Sequence, residues 1–381
     1  MEKGESEMGC LVSDFSEILE DIAPPELAED WDRVGLQCGS PEMAVDTVLV
    51  ALEVTGEVVE EARERGAGLI ICHHPLIFEP LADLREDGPP GDLVCSVVRS
   101  GLAVYASHTN LDAAPLGVNT ALAESLGLRE HVPLVEGPTR PACKLVTFLP
   151  PEHLESVSRS LFAAGAGVIG EYTGCSFRSE GTGTFYAGPE TSPAYGERGR
   201  MNEVREVRLE VQVEEKLLGT ALGALLASHP YEEPAVDVYS IRIPSKGGMG
   251  RVGELERPLR LDGLAELCRE RLQNPAVRFA GRPEREVKRV AVCGGRGAHL
   301  AKEALRAGAE VLVTGDVGHH QAVAALNMGL AVVDAGHYHT ERTVVPFLVR
   351  LLKERASRKG LEVDVIASRV DACPWKIGGA S

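Results

Sequence analysis

The chain has 381 residues, of which 44% are hydrophobic, and this length favours two or three domains with sizeable cores. Its 57 acidic residues outnumber its 39 basic ones, so the formal net charge of −18 disfavours direct contact with nucleic acids or anionic membranes. No apolar stretch approaches the roughly 20 residues of a membrane helix, and the nine cysteines never form a Cys-x-x-Cys pair. We therefore expect a cytoplasmic protein with reduced thiols and no membrane partner.

The first part of the chain is predicted to alternate strands and helices. An amphipathic helix over 14–22 ends at Pro24-Pro25, and a polar turn punctuated by glycine follows over 27–39. From Thr47 the predicted order is strand 48–54, helix 57–65, strand 68–72, helix 92–100 and strand 102–106. Because these strands are apolar runs, they favour a parallel sheet that is covered on both faces.

The middle of the chain, residues 138–250, breaks this rhythm and ends in a glycine-rich stretch. Its predicted order is strand 143–148, helix 152–164, glycine-rich strands over 169–185, strand 203–213, helix 216–228 and strand 236–243. This order is typical of a small α+β module with helices on one face of an antiparallel sheet. We expect an inserted domain between an N-terminal α/β half (1–137) and a C-terminal α/β half (251–381), with the pair Glu232-Glu233 of the insert facing solvent or a partner.

The last part of the chain repeats the pattern of the first. The predicted order is strand 289–293, helix 298–307, strand 310–314, helix 320–328 and strand 330–334. At a single offset, Glu61-Ala62 and Gly66-Ala67 align with Glu303-Ala304 and Gly308-Ala309. The segment GLAVYASHTNLD (101–112) likewise resembles GLAVVDAGHYHTE (329–341). We expect two related half-domains that share one sheet.

Histidines and carboxylates follow the apolar strands of both copies. They are the pair His73-His74, His108 with Asp112, the pair His319-His320, and His337 with Glu341. Because ligands in open α/β sheets bind beyond the carboxyl ends of the strands, these side chains are expected to meet. Adjacent histidines on an extended backbone point opposite ways, which suits one ligand for each of two metal ions, with a carboxylate bridging both.

Imidazole and carboxylate donors without thiolate favour zinc, iron, manganese or nickel over magnesium and calcium. A pair of such ions supports metal-assisted hydrolysis. Each motif also has an ordinary alternative, since a lone His-His is more often a surface or core pair than a ligand set. Glu341 could instead be a carboxylate in the first turn of a helix that begins near Arg342. Recurrence at matching places in a repeat favours the metal site.

Three further features are weaker indications. Asp316 is either a cap of the following helix or a ligand. The run Gly294-Gly295-Arg296-Gly297 lacks the full dinucleotide fingerprint, so a turn that starts a helix is favoured. His229 is predicted to end a helix, where a cation or a cap is locally useful.

Taken together, four motifs resemble the Nif-three-like family, whose members are often labelled GTP cyclohydrolase I type 2 homologues. They are ICHHPLIF, SHTNLD, TGDVGHH and DAGHYHTE, and the similarity extends to LAEDWDRVGLQCG near the start. The inserted segment, with IGEYTGCSF, GTGTF and HPYEEPAVDVY, is similar to the PII-like, cation-tolerance-protein-like domain of longer members. The resemblance implies an α/β fold in which the half-domains form a three-layer sandwich-like unit, with an inserted ferredoxin-like α+β domain.

The resemblance also implies residue roles. It implies two divalent metal ions per chain, held by His73, His74, Asp112, His337 and Glu341. It places His108 and His320 at positions that line the cavity, where they are expected either to orient a metal ligand or to transfer protons. One departure is Arg33, which stands where the family usually has asparagine, and this puts substrate choice in question.

The family typically assembles as a toroidal homohexamer whose inserted domains cap the openings of the ring. The leading hypothesis is therefore a dinuclear-metal hydrolase acting on a nucleotide-like or phosphorylated small molecule, with GTP ring opening as the named reaction. The alternative is a ring-forming regulatory, scaffold or metal-buffer protein without turnover. A third hypothesis, an interaction partner of transcription machinery, follows from the family's name alone.

Overall fold

The computed structural model describes residues 10–244 and 247–376. The chain divides into two compact units, one formed by Met1–Pro138 with Lys246–Ser381 and the other by Thr139–Ser245. A long strand that begins at Gly248 belongs to the larger unit, so the boundary expected after residue 250 falls inside a strand. Within the described residues, no helix combines the length and the apolar character needed to cross a bilayer.

The elements follow the alternation predicted from the sequence, with several strands added. The strands are β1 (Gly35–Cys38), β2 (Thr47–Ala51), β3 (Leu69–Cys72), β4 (Ala103–Ala106), β5 (Arg129–Glu136), β6 (Arg140–Leu149), β7 (Ser176–Tyr186), β8 (Met201–Glu214), β9 (Val236–Ile243), β10 (Gly248–Arg260), β11 (Arg278–Ala280), β12 (Glu286–Val292), β13 (Val311–Thr314), β14 (Ala331–Asp334) and β15 (Asp364–Ala367). The helices are α1 (Val12–Ile22), α2 (Gly56–Glu64), α3 (Gly91–Arg99), α4 (Thr109–Ala113), α5 (Val118–Ser125), α6 (Leu154–Ala163), α7 (Leu218–Ser228), α8 (Leu261–Arg271), α9 (Ala301–Arg306), α10 (His319–Asn327), α11 (His337–Glu341) and α12 (Val344–Arg358).

The first sheet of the larger unit has the strand order β1-β4-β3-β2-β15. Strands β4, β3, β2 and β15 run parallel, and β1 pairs with β4 in the antiparallel direction. Strand β1 lies in the segment 27–39, which was expected to be a turn only. Strand β15 comes from the end of the chain, so the last part of the sequence completes the sheet of the first part.

The second sheet has the order β11-β14-β13-β12-β10-β5. Its centre, β14-β13-β12, is parallel, while β11, β10 and β5 pair in the antiparallel direction. The expectation that both copies share one sheet was therefore wrong. Strands β1 and β15 occupy the two sides on which the first copy could have paired, and β11 and β10 do the same for the second copy. With those edges already hydrogen-bonded, the parallel cores have no free backbone groups with which to join.

Both sheets of the larger unit are covered on both faces, which explains their apolar strands. In the first sheet, Ile70 packs with side chains of α2 and α3, whereas its neighbour Ile71 packs with α1 and α12. In the second sheet, Leu312 packs with α9 and α10, whereas Val313 packs with α5 and α8. Successive strand residues point to opposite faces, so a strand with helices on both sides must be apolar throughout.

The smaller unit is an antiparallel sheet with the order β7-β8-β6-β9. Its core joins strand residues such as Leu145 and Val211 to Leu161 of α6 and Leu225 of α7. The glycine-rich segment predicted as strands over 169–185 contains a single strand, β7, which begins at Ser176. His229 follows α7 directly as its C-cap, in agreement with the prediction.

Candidate metal centre

The carboxyl ends of three parallel strands bring six predicted side chains of the larger unit together. His73 follows β3 directly, His108 lies two residues after β4, and His337 lies three residues after β14. Ligand atoms that lie within 4.8 Å of one another form three overlapping groups: His73 with His74 and His108, His74 with His337 and Glu341, and His73 with Asp112 and Glu341. Three of the four groups of side chains that were predicted to meet therefore lie close together, and the pair His319-His320 does not join them.

The adjacent histidines do not point opposite ways, and this expectation was wrong. The chain bends at His73 and His74, and the backbone N–H groups of both donate to the carbonyl of Leu52, at 3.2 and 2.9 Å. Their rings consequently lie side by side, with centroids 4.9 Å apart. Both imidazoles therefore face the same cluster.

Glu341 lies at the centre of the cluster. It is the last residue of α11 and is 4% exposed, so it is not a solvent-facing carboxylate at the start of the next helix, α12. Its Oε1 lies 3.9 Å from Nε2 of His73, whereas its Oε2 lies 3.1 Å from Nε2 of His74 and 3.2 Å from Nε2 of His337. Asp112 Oδ1 lies 3.8 Å from the same Nε2 atom of His73. Each carboxylate oxygen of Glu341 thus faces a different set of imidazoles.

Every histidine of the cluster has its Nδ1 atom held by an oxygen acceptor. The pairs are His73 with the Ser107 carbonyl (2.9 Å), His74 with Glu53 (3.2 Å), His108 with Asp32 (2.8 Å) and His337 with Asp316 (2.8 Å). In a neutral imidazole, an acceptor at Nδ1 fixes the proton there and leaves the lone pair of Nε2 free, as in metal sites whose histidines are oriented by carboxylates or carbonyls. The four Nε2 atoms are accordingly prepared to act as ligands.

Three of these acceptors were missed or misassigned from the sequence. Asp32 is buried and also accepts from the backbone N–H and hydroxyl of Thr109, at 2.9 and 2.5 Å. Glu53, which follows β2, carried no motif. Asp316, considered as a helix cap, instead contacts His337, and the residue before the following helix is Gly318. A carboxylate after each neighbouring strand was the one signal that could have indicated Glu53 and Asp316.

The charges of the cluster are strongly coupled. Burial lowers the pKa of His73 to about 3, so its imidazole is neutral. Burial also disfavours the charged form of His74, but contacts with Glu341 and Glu53 outweigh it and raise the pKa of His74 to about 10. Close contact with Glu341 raises the pKa of His337 to about 9. Burial alone would raise the pKa of Glu341, yet the neighbouring imidazoles lower it, while burial and Glu341 raise the pKa of Asp112.

Two buried atoms of the cluster lack hydrogen-bond partners, and a metal ion would satisfy both. They are Nε2 of His73 and Oε2 of Glu341, whose short contacts do not have hydrogen-bond geometry. Ligand atoms about 2.1 Å from one ion lie about 3.0 to 3.4 Å apart at adjacent positions, and up to about 4.2 Å apart across it. The observed separations of 3.1 to 3.9 Å fall in this range. The residues present therefore fit a divalent metal.

A glycine beside Glu341 leaves the space that its carboxylate occupies. Gly295 has φ of 60°, a conformation that favours glycine, and a Cβ there would collide with Oε1 of Glu341. The glycine run does start a helix, as predicted, since Gly297 precedes the 3₁₀ turn Ala298–Leu300. Its second role, making room for the central carboxylate, was not visible in the sequence.

The second predicted histidine pair, His319-His320, lies outside the cluster. His320 is exposed in the first turn of α10, beside His319, and among the described residues it belongs to none of the three ligand groups. The pair His319-His320 is separated from β13 by four residues, whereas His73 follows β3 at once.

Arg33, the residue that departs from the family's usual asparagine, donates its backbone N–H to Asp32 Oδ1. It therefore lies next to the acceptor that orients His108.

Two exposed aromatic side chains stand beside His108. Trp31 is 55% exposed and Phe78 is 47% exposed, and their rings meet edge to face with centroids 5.8 Å apart. The imidazole of His108 lies 6.1 Å from Trp31 and 6.2 Å from Phe78 in the same manner. Exposed apolar rings next to a polar cluster are typical of a place where a ligand binds.

Comparison with known proteins agrees with the family resemblance predicted from the motifs. The family model of Duf34/NIF3 (NGG1p interacting factor 3) matches residues 10–374. A Bacillus subtilis protein named GTP cyclohydrolase 1 type 2 homolog is 39% identical over 360 residues, which are 94% of this chain and 96% of that protein. A protein of the same name from Halalkalibacterium halodurans is 38% identical, with the same coverage of both chains.

Solved structures show the same similarity. A Bacillus cereus protein related to NIF3 superposes with a TM-score of 0.87 at 37% identity, covering 98% of this chain and 100% of that one. A Staphylococcus aureus protein superposes with a TM-score of 0.80 at 31% identity, covering 97% and 99%. From its motifs, its fold and these matches, the chain belongs to the Duf34/NIF3 family.

Proposed function

We propose that the cluster holds two divalent metal ions that share Glu341. One ion is assigned to His73, Asp112 and Glu341, and the other to His74, His337 and Glu341. The observation that carries this proposal is the division of Glu341, whose two oxygens face different imidazoles. A carboxylate with both oxygens committed in this way is suited to bridge a pair of ions.

The donor set restricts the metal. The three ligand groups contain imidazole nitrogen and carboxylate oxygen but no thiolate. Such mixed sets favour zinc, iron, manganese or nickel over magnesium and calcium. The identity of the ions is thus proposed as a class.

For the reaction we propose metal-dependent hydrolysis of a nucleotide-like or phosphorylated small molecule. The curated relatives carry the name GTP cyclohydrolase 1 type 2 homolog, which makes opening of a purine ring the first reaction to test. A bound pair of divalent ions would supply Lewis-acid activation of water. Trp31 and Phe78 support a planar substrate, since their exposed rings stand beside the cluster.

Proton transfer is proposed for His108. Its Nδ1 is held by Asp32, and the residue belongs to the group with His73 and His74. This is the arrangement in which a carboxylate orients an imidazole that exchanges protons with a substrate. His320, the other candidate, has no such arrangement on exposed helix α10, which makes it a suitable control.

The proposal is tested by metal analysis and activity of the same preparations. Protein purified without added metal is assayed for bound ions, then with GTP and with phosphoesters. We expect His74→Ala to lose metal and turnover, His108→Ala to keep metal but lose turnover, and His320→Ala to keep both. Turnover that survives His74→Ala would refute catalysis at this centre.

A second candidate function, a metal buffer or regulatory protein without turnover, is favoured by one observation. The side chains of His74 and His337 are 24% and 36% exposed, so ions held by this set have a route to exchange with solvent. Stoichiometric but rapidly exchanging metal, with no substrate consumed in a metabolite screen, would select this function over the first.

Four finer expectations remain proposals. The toroidal homohexamer and the PII-like, ferredoxin-like character of the insert are carried by the family resemblance and are tested by mass measurement in solution and by an experimental structure. A sandwich-like arrangement of the half-domains is proposed on the same ground. A cytoplasmic location is supported by the cysteines, since all nine are free thiols.

A further inference from the structure

The smaller unit contains a cavity of about 770 Å³. All of its lining residues lie between Phe148 and Ala235, so it is formed within this unit. Strand β7 and the loop that follows it make one wall, and parts of β6 and β8 make another. Cavities of about 300 to 1,000 Å³ are the size that holds small organic ligands.

Aromatic rings form a large part of the lining. They belong to Phe148, Phe185, Tyr186, Tyr195 and Tyr231. The rings of Tyr195 and Tyr231 meet edge to face, with centroids 6.0 Å apart. Tyr195 donates its hydroxyl proton to Glu152 at 2.8 Å, and Tyr231 donates to Glu206 at 2.6 Å. Since both hydroxyl protons are engaged, these side chains offer a ligand only acceptor oxygens and electron-rich ring faces.

The lining is negatively charged. It carries five glutamates, including Glu232 and Glu233, against one arginine, Arg208. The guanidinium of Arg208 is already paired with Glu210 at 2.9 Å and lies over the ring of Phe148. The cavity therefore presents acceptors and negative charge, and its single arginine is not available to receive an anion.

Glu206 is the most informative residue of this lining. It is only 9% exposed, and among the described residues no lysine or arginine forms an ion pair with it. Its Oε2 lies against Gly183, where any Cβ would collide with the carboxylate, so a glycine leaves the room that Glu206 occupies. A buried carboxylate without a cation is unfavourable, and a positively charged ligand in the cavity would remove that cost.

We propose that this cavity binds an organic cation, a molecule with a protonated amine or guanidine group on an aromatic or aliphatic body. The positive group pairs with Glu206 and with the faces of the tyrosine rings, where cation–π attraction adds to the ion pair. The apolar body packs against Phe148 and Phe185. The same lining repels phosphate groups, so nucleotides are excluded from this site. The inference is independent of the function proposed for the metal centre.

The test compares ligands that differ in charge alone. Tyramine and tyrosol share a ring and differ in carrying an ammonium or a hydroxyl group, and AMP serves as an anionic ligand. Binding to the full chain is measured by isothermal titration calorimetry, with agmatine and spermidine as further cations. We expect tyramine to bind at least about tenfold more tightly than tyrosol, the difference that one charge-assisted hydrogen bond supplies, and AMP not to bind the cavity.

Matched variants locate the binding. We expect Glu206→Gln to weaken tyramine by about tenfold or more, and Glu203→Gln, an exposed carboxylate on the same strand outside the lining, to leave it unchanged. If Glu206→Gln does not fold, Ala194→Trp obstructs the cavity from an exposed loop position and is expected to abolish binding. Any one of four results overturns the proposal. Two concern the ligands: equal affinity for tyramine and tyrosol, or tighter binding of AMP. The others are an unchanged tyramine affinity in the folded cavity variants, or no cation bound at about 10 mM.

Discussion

Uptake of metal should release protons from His74 and His337, the two imidazoles assigned with Glu341 to one of the proposed ions. In the metal-free protein the pKa values of His74 and His337 are raised to about 10 and about 9, mainly through Glu341. At pH 7.5 a group with a pKa of 9 is about 97% protonated, so both imidazoles carry protons on the side that faces the cluster. Each must lose its proton before Nε2 can bind an ion. His73, with a pKa of about 3, is already neutral and releases none.

The sign of the pH dependence follows. Because binding releases protons, metal affinity should increase as the pH rises and should level off above the raised pKa values. The rings of His74 and His337 are 5.8 Å apart, so their positive charges repel and the second proton is held less firmly. We therefore expect between one and two protons from these imidazoles, and an affinity that changes by about one to two log units per pH unit near pH 7.

Calorimetric titration with Zn²⁺ or Mn²⁺ in two buffers of different ionisation enthalpy measures the protons directly. Replacing His337 with alanine should lower the number by about one, while His320→Ala, on exposed α10, should leave it unchanged. Binding heats that are identical in both buffers, with an affinity independent of pH, would show that the imidazoles are not protonated ligands of the metal-free site.

Three further predictions concern the site and the core. Glu341→Gln should lose both ions and Asp112→Asn only one, as counted by metal analysis, because only Glu341 faces both ligand sets. Gly295→Ala should lose metal while keeping its circular dichroism spectrum, because the added methyl group displaces the central carboxylate. Ile71→Ala in β3 should lower the free energy of unfolding by about 2 to 5 kcal/mol, and Val98→Ala, 59% exposed, by less than about 0.5 kcal/mol, as measured with urea.

The parallel strands were predictable because burial on both faces demands unbroken apolar runs. The edge strands were not. Neither β5 nor β1 has a fully buried residue, so neither is an apolar run covered on both faces. Edge strands of this kind form because a neighbour offers free backbone groups, and that neighbour is unknown until the sheet is assembled. The two-sheet architecture depended on these strands, which is why a single shared sheet was expected instead.

In the site, the ligands were predictable and their orienting partners were not. A histidine that follows an apolar strand is visible in the sequence because its strand is visible. Asp32 lies 76 residues from His108 along the chain, and Glu53 lies 21 residues from His74. The position of Glu53 after β2 is a weak local signal, whereas nothing local marks Asp32, because its role arises only when its loop comes to lie beside His108.

The two copies contribute unequally to the centre, and one local difference accounts for this. In the first copy the histidine pair follows β3 at once, whereas in the second copy β13 is followed by Gly315 and Asp316 before His319 is reached. The later pair is thereby carried onto exposed helix α10, and Asp316 takes the place near the cluster as the acceptor that orients His337.

The second copy instead anchors the shared carboxylate. Thr340, fully buried, accepts from the backbone N–H of Gly295 at 3.0 Å and donates to the carbonyl of His337 at 2.7 Å. These bonds tie the loop after β12 to α11 and fix Glu341 between them. The first copy of the repeat thus supplies adjacent imidazoles, and the second copy supplies a carboxylate that is held in place by hydrogen bonds. Because of this asymmetry, Glu341 alone can face both ligand sets.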